Sequence, residues 1–130
     1  EIRLSLVGSE MCIRDRVWPH ELLTAEALAR AGYCVVFITK SNVKHQKSAD
    51  ALIDGVLYEM KSPTSSHISV VKKNIKKAMS QSMYIVFDSK RMKNVKDHQV
   101  LHELEKQLDE NRKIKALLFV DKKRSVHKLK

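Results

Sequence analysis

The sequence predicts a small α/β domain, a mixed β-sheet flanked by helices, and three observations carry that prediction. One stretch is dense in strong helix formers, and two more place apolar residues on one helix face at three- and four-residue spacing. Between these stretches lie short runs rich in β-branched and aromatic residues, bounded by polar or glycine turns. The chain has 130 residues with 43% hydrophobic content, which suits one compact domain and is too apolar for a disordered chain.

The elements follow in the order αβββαβαβ, with one further candidate strand at the end. Pro19 opens the first helix, where its missing N–H costs little. Leu22, Leu23, Ala25, Ala27, Leu28 and Ala29 continue it, and Gly32 stands where a helix C-terminus is expected. This helix spans 19–31. Tyr33 to Ile38 is a buried strand, and the lysine-rich stretch 40–48 is a loop. Ala49 to Ile53 and Val56 to Lys61 form a hairpin about a tight Asp54-Gly55 turn. Ile68, Val71, Ile75, Ala78 and Met79 mark a second helix. Tyr84 to Phe87 is a core strand ended by Asp88. A polar helix over roughly 95–111 turns Val100, Leu101, Leu104 and Leu108 inward. Ile114 to Val120 is a strong strand, and Ser125 to Leu129 is the final edge candidate.

Residues 1–16 stand apart. They show neither helical nor strand periodicity and lack the charged start and apolar core of a signal peptide. SLVGSEMCIRDR resembles translated sequencing adapter, which makes 1–16 an artefactual or disordered segment and 17–130 the domain proper. Removing the segment takes away three basic and three acidic residues and leaves the net charge of +10 unchanged. A basic excess of this size points to a polyanionic partner, most often nucleic acid. No apolar run is long enough to span a membrane. The two cysteines, Cys12 and Cys34, lack CxxC spacing and are too few for a disulfide scaffold; Cys34 reads as a small core residue. His67, His98, His102 and His127 are scattered and read as surface residues.

The hairpin carries the chemistry. Residues i and i+2 of a strand share a face, so Glu59 and Lys61 project together while Met60 turns into the core. The turn at Asp54-Gly55 folds Asp50 back toward Glu59. Two carboxylates and an ammonium at a sheet end suit a divalent cation with open positions for water and phosphate. The ammonium would orient or deprotonate the attacking water, or neutralise charge on the phosphoryl oxygens.

Asp50, eight residues, then Glu59-Met60-Lys61 resembles the core motif of the PD-(D/E)xK nucleases, with Ala49 where the family usually has proline. HELLTAEALARAGY, ADALIDGVLYEMKSPTSS and NIKKAMSQS, in that order, look like the C-terminal tRNase domain of contact-dependent growth inhibition toxins, over residues 19 to about 129. The resemblance implies a restriction-endonuclease-like core and a metal-dependent endonuclease that cleaves tRNA in the cytoplasm of a target cell, restrained by a cognate immunity protein. It implies that Asp50, Glu59 and the Met60 carbonyl hold Mg²⁺ or Mn²⁺ rather than Zn²⁺, with Lys61 acting on the water. The family places a glutamate on the first helix, which falls on Glu21, with Glu26 the neighbouring candidate. Gln81 resembles a family position near the active site.

Ordinary structural roles compete with these assignments. Asp50 would cap a loop, Glu59 and Lys61 would form a solvated strand pair, and Glu21 would answer the first-turn dipole. Lys72, Lys73, Lys76 and Lys77 would be a solvated helix face, but like charges at i,i+4 destabilise a helix and a phosphate backbone would offset that. Ser62 and Thr64 would bind phosphate or form a turn. The rival functional readings are a DNA nuclease or resolvase-like enzyme of a phage or mobile element, and an inactive nucleic-acid-binding domain.

Overall fold

The computed structural model describes residues 3–5, 18–38 and 50–130. The chain divides into two compact units, Glu1–Tyr58 and Glu59–Lys130. The boundary falls inside a strand, Val56–Lys61, rather than in a loop.

The first unit holds strand β1 (Arg3–Ser5), helix α1 (Pro19–Arg30), and strands β2 (Cys34–Ile38) and β3 (Asp50–Ile53), with the first half of β4 (Val56–Lys61). β1 is an element the periodicity of 1–16 did not announce. Its backbone pairs in parallel with β2, Arg3 opposite Cys34 and Ser5 opposite Val36. Three residues are too few for an alternation to show, so this strand is made by its neighbour rather than by its own pattern. β2 and β3 are antiparallel, with Val35 opposite Ile53 and Ile38 opposite Asp50. Helix α1 ends one residue earlier than the composition suggests. Ala31 caps it, Gly32 follows at φ +102°, and the Tyr33 amide donates to the Leu28 carbonyl at 3.0 Å. That is a Schellman-type stop, and the positive φ is the reason for glycine there. The helix packs on β1 and β2, burying Ala25, Ala27, Leu28 and Ala29 in the same unit as Val35, Phe37, Ala51 and Ile53.

The β3–β4 hairpin closes where the sequence placed it. Asp54 and Gly55 both have positive φ, 49° and 83°. Two left-handed residues make the type I′ turn that matches the twist of paired strands. Asp54 adds a clamp: its Oδ1 accepts from the Cys34 amide at 2.8 Å, and its own amide donates to the Cys34 carbonyl at 2.8 Å. Cys34 itself is half-buried, so the core position in this strand is Val35, not the cysteine.

The second unit holds the end of β4, helix α2 (Ser69–Met79), strand β5 (Tyr84–Asp88), helix α3 (Asp97–Glu110), and strands β6 (Ala116–Val120) and β7 (Val126–Lys128). β4, β5 and β6 run parallel, and β7 returns antiparallel to β6. Parallel neighbours need crossovers, and α2 and α3 are those crossovers. Both helices were legible by period: Val71, Ile75 and Ala78 on α2 and Val100 and Leu104 on α3 are fully buried. They cluster with Ile85 and Phe87 of β5, Leu117 and Phe119 of β6, and the loop residues Met92, Val95 and Ile114. Burying each large side chain contributes about 1.5–3 kcal/mol, so this cluster is the main support of the unit. The element order after the first helix, βββαβαββ, is the predicted mixed α/β arrangement, with the terminal strand candidate present as β7.

Candidate functional site

The side chains proposed from the hairpin divide between the two units. Asp50 is the first residue of β3, with its backbone opposite Ile38. The ligand role expected of its side chain lies outside the described residues. Glu59, Met60 and Lys61 end β4, in register with Ile85, Val86 and Phe87 of β5.

The alternation argument for the Glu59–Lys61 pair is visible in the distances. Lys61 Nζ lies 3.7 Å from Glu59 Oε2, so the two side chains share a face. Their side chains retain 24% and 16% exposure, which leaves both reachable from solvent. At 3.7 Å the pair is an ion pair without a tight hydrogen bond, and the ammonium keeps donors available. Met60 is half-buried and does not belong to the fully buried core the alternation assigned it to.

Directly after Lys61, Ser62 has a buried hydroxyl with no hydrogen-bond partner among the described residues. A buried hydroxyl without a partner costs about 1–3 kcal/mol, so this one is a position where a ligand oxygen or water would be welcome. Thr64 is exposed, and Ser65 Oγ accepts from the His67 amide at 3.0 Å, which makes that part of the loop a turn.

Glu21 is 4% exposed, and its Oε1 accepts from the Trp18 amide at 3.0 Å. Glu21 stands in the first turn, where the rival reading has it answer the helix dipole, and it also makes a capping bond there. Glu26, the neighbouring candidate, is half-buried on the same helix. Lys72, Lys73, Lys76 and Lys77 are all exposed, opposite the buried Val71, Ile75 and Ala78. The first turn of α2 has no acidic residue, and no ion pair to these four lysines occurs among the described residues. Gln81 is exposed in the turn after α2.

The donor chemistry fits a hard cation of modest protein ligation. Carboxylate oxygen and a main-chain carbonyl suit Mg²⁺ or Mn²⁺, which keep several waters and rely on few protein oxygens. Among the described residues no group of three or more His, Cys, Asp or Glu side chains is arranged to hold a metal ion.

A family model described as the contact-dependent growth inhibition CdiA C-terminal domain matches residues 47–126. The chain belongs to that family. The match contains the whole hairpin, the Glu59–Lys61 pair and the lysine face of α2. Among solved structures, this CdiA C-terminal domain is similar to one described as a CdiA-CT/CdiI toxin and immunity complex from Burkholderia pseudomallei. The identity is 18%, the TM-score 0.60, and the likeness covers 96% of each chain. No curated protein matches in sequence.

The second unit of this CdiA C-terminal domain also contains a polar cluster that spacing did not reveal. Asp88, read from sequence as a strand terminator, is the last residue of β5 and only 2% exposed. Arg124 grips both its oxygens, with Nη1 to Oδ1 at 2.9 Å and Nη2 to Oδ2 at 2.7 Å. Arg124 reaches it from a left-handed backbone position, φ 68°. Beside it, Ser89 Oγ donates to Asp97 Oδ1 at 2.7 Å, and the Lys122 amide donates to Asp97 Oδ2 at 3.1 Å. His127 Nε2 lies 2.9 Å from Asp121 Oδ2, and its ring stacks on Phe119 at 5.5 Å. His127 keeps 41% side-chain exposure, as its surface reading required, and is at the same time engaged by Asp121 and Phe119. Burial raises the Asp121 carboxyl, but the bond to His127, the Ser125 amide, the histidine charge and the Lys123 amide outweigh it and hold the group below its ordinary value. His98 and His102 are exposed, as their surface reading required.

Proposed function

We propose that this CdiA C-terminal toxin domain is a metal-dependent endonuclease of the PD-(D/E)xK type that cleaves tRNA in the cytoplasm of a target cell. The observation that carries the reading is the Glu59–Lys61 pair, an acid and an amine on one strand face, 3.7 Å apart and partly open to solvent. The hairpin register supports the third member: it pairs Ala51 with Tyr58, the residues that follow Asp50 and precede Glu59 in the chain. A bound divalent cation would polarise the phosphoryl group and lower the pKa of a water. Asp50, Glu59 and the Met60 carbonyl would hold it, and Lys61 would orient the water and offset charge on the phosphoryl oxygens. Glu21 would hold a second metal from α1 or orient that water. The lysines of α2, with Ser62, Thr64 and Gln81, would bind the backbone. The relative's description as a toxin and immunity complex supports a cognate immunity protein here too.

The test uses purified protein, tRNA and Mg²⁺, with and without chelator. Asp50→Ala, Glu59→Ala and Lys61→Ala should each lower cleavage by roughly a hundredfold or more, the usual effect of removing one electrostatic or acid–base group. Full activity in all three folded variants, or full activity in chelator, rejects the reading. Plasmid DNA cut in preference to tRNA would move the substrate class to DNA.

A further inference from the structure

We infer that the second unit carries a separate binding basin for the backbone of RNA, at the opposite end of the parallel strands from Lys61. An open cavity of about 600 Å³ is lined by Met83, Arg112, Lys113, Ile114, Lys115 and Lys130. Four of these six residues are cations and none is an acid. All four cations are exposed, and no ion pair to any of them occurs among the described residues. Like-charged side chains around one hollow repel one another, and an anion placed among them lessens that repulsion.

The hollow stands on fixed backbone. The Lys115 and Ala116 amides donate to the Met83 carbonyl at 2.8 and 3.3 Å. Asn111, just before the basic run, is tied to Gln107 by its amide at 2.8 Å and its side-chain nitrogen at 2.9 Å. At the other side, the Leu117 amide donates to the Lys130 carbonyl at 3.2 Å, and Lys130 Nζ reaches the Arg112 carbonyl at 3.4 Å. Cations mounted on backbone held in this way have less freedom to lose on binding than cations on a loose tail, which favours affinity.

Three lysines to one arginine suit phosphates approached as point charges, and the apolar Met83 and Ile114 offer a floor for a base or ribose. Position selects a long ligand. Met83 lies four residues before Phe87, which is in register with Lys61, so the basin is about 13 Å along the strands from the Lys61 level. A polynucleotide reaching Lys61 can also occupy the basin, whereas a dinucleotide cannot span the gap. The inference rests on the proposed nuclease reading for its choice of RNA, and the measurements separate the two.

The variant R112Q/K113Q/K115Q/K130Q, checked for folding by circular dichroism, is compared with wild type for binding unfractionated tRNA in EDTA across a salt series. Its dissociation constant should rise at least about tenfold near 0.1 M salt, and its salt slope should become shallower by about 3, as four phosphate contacts are lost. In Mg²⁺, KM for tRNA should rise with kcat unchanged, while any cleavage of a dinucleotide stays at the wild-type rate. Unchanged tRNA binding overturns the basin, as does failure of wild type to bind tRNA. Loss of binding to the cognate immunity protein with RNA binding intact overturns it in favour of a protein-docking surface. Weakened binding in the variant, beside a wild type that cleaves nothing, upholds the basin and rejects the nuclease. Should the variant not fold, acetylation footprinting of wild type decides: tRNA must protect Lys113, Lys115 and Lys130.

Discussion

Glu59–Lys61 and Asp88–Arg124 are both carboxylate–cation pairs in the unit 59–130, and the second begins one residue beyond the strand position in register with Lys61. Their geometry differs in every respect that matters. Arg124 makes two parallel bonds of 2.9 and 2.7 Å to a carboxylate that is 3% exposed. Lys61 stands 3.7 Å from a carboxylate that keeps 16% exposure. A bidentate guanidinium–carboxylate fork fixes two chain segments and leaves nothing for a ligand. A looser ammonium beside a partly open carboxylate fixes less than such a fork. Asp88–Arg124 thus ties two chain segments together, whereas Glu59–Lys61 is the pair that stays partly open to solvent.

The sharpest way to break that contrast is to exchange the expected phenotypes. Arg124→Ala leaves the Asp88 carboxylate buried without its fork, which should cost about 3–5 kcal/mol. Urea denaturation would show it, and a loss below about 1 kcal/mol would remove the structural role. Lys61→Met should do the reverse. It should lower tRNA cleavage by roughly a hundredfold or more while moving stability by no more than about 1 kcal/mol, the worth of a partly exposed pair. A large stability loss with activity retained would make Glu59–Lys61 a strut.

A smaller effect sharpens the comparison at the neighbouring acid. Because the folded state holds the Asp121 carboxyl below its ordinary value of 3.8, its contribution to stability is present above that value and fades as the pH falls below it. Asp121→Asn should therefore flatten the acid limb of the stability–pH curve below about pH 4, measured by urea midpoints. A limb of unchanged steepness would show that His127 and the backbone amides do not stabilise the charged carboxylate.

The two pairs also differ in how visible they are in the sequence. Glu59 and Lys61 are two residues apart, and strand alternation alone brings them together. The Asp54-Gly55 turn is equally local: its residue types dictate its backbone. Val71, Ile75, Ala78, Val100 and Leu104 announce their helices by period, and their burial follows. Asp88 and Arg124 are 36 residues apart, and their bond needs the β5–β6 register and a left-handed turn residue that nothing nearby signals. The basin around Met83 and Lys130 is likewise assembled from three separated stretches. Glu21 shows the remaining difficulty, because a cap and an active-site acid are written with the same letter at the same place, and here the capping bond is made.

The parallel pairing of Arg3–Ser5 with Cys34–Val36 has a practical consequence. β2 has β3 on one flank and this short strand on the other. A protein trimmed to begin at Val17 would lose that second neighbour and present a row of unsatisfied amides and carbonyls. Such a row is a template for strand addition by another polypeptide. Whatever the origin of the leading residues, preparations with and without them should be compared for self-association before their enzymology is.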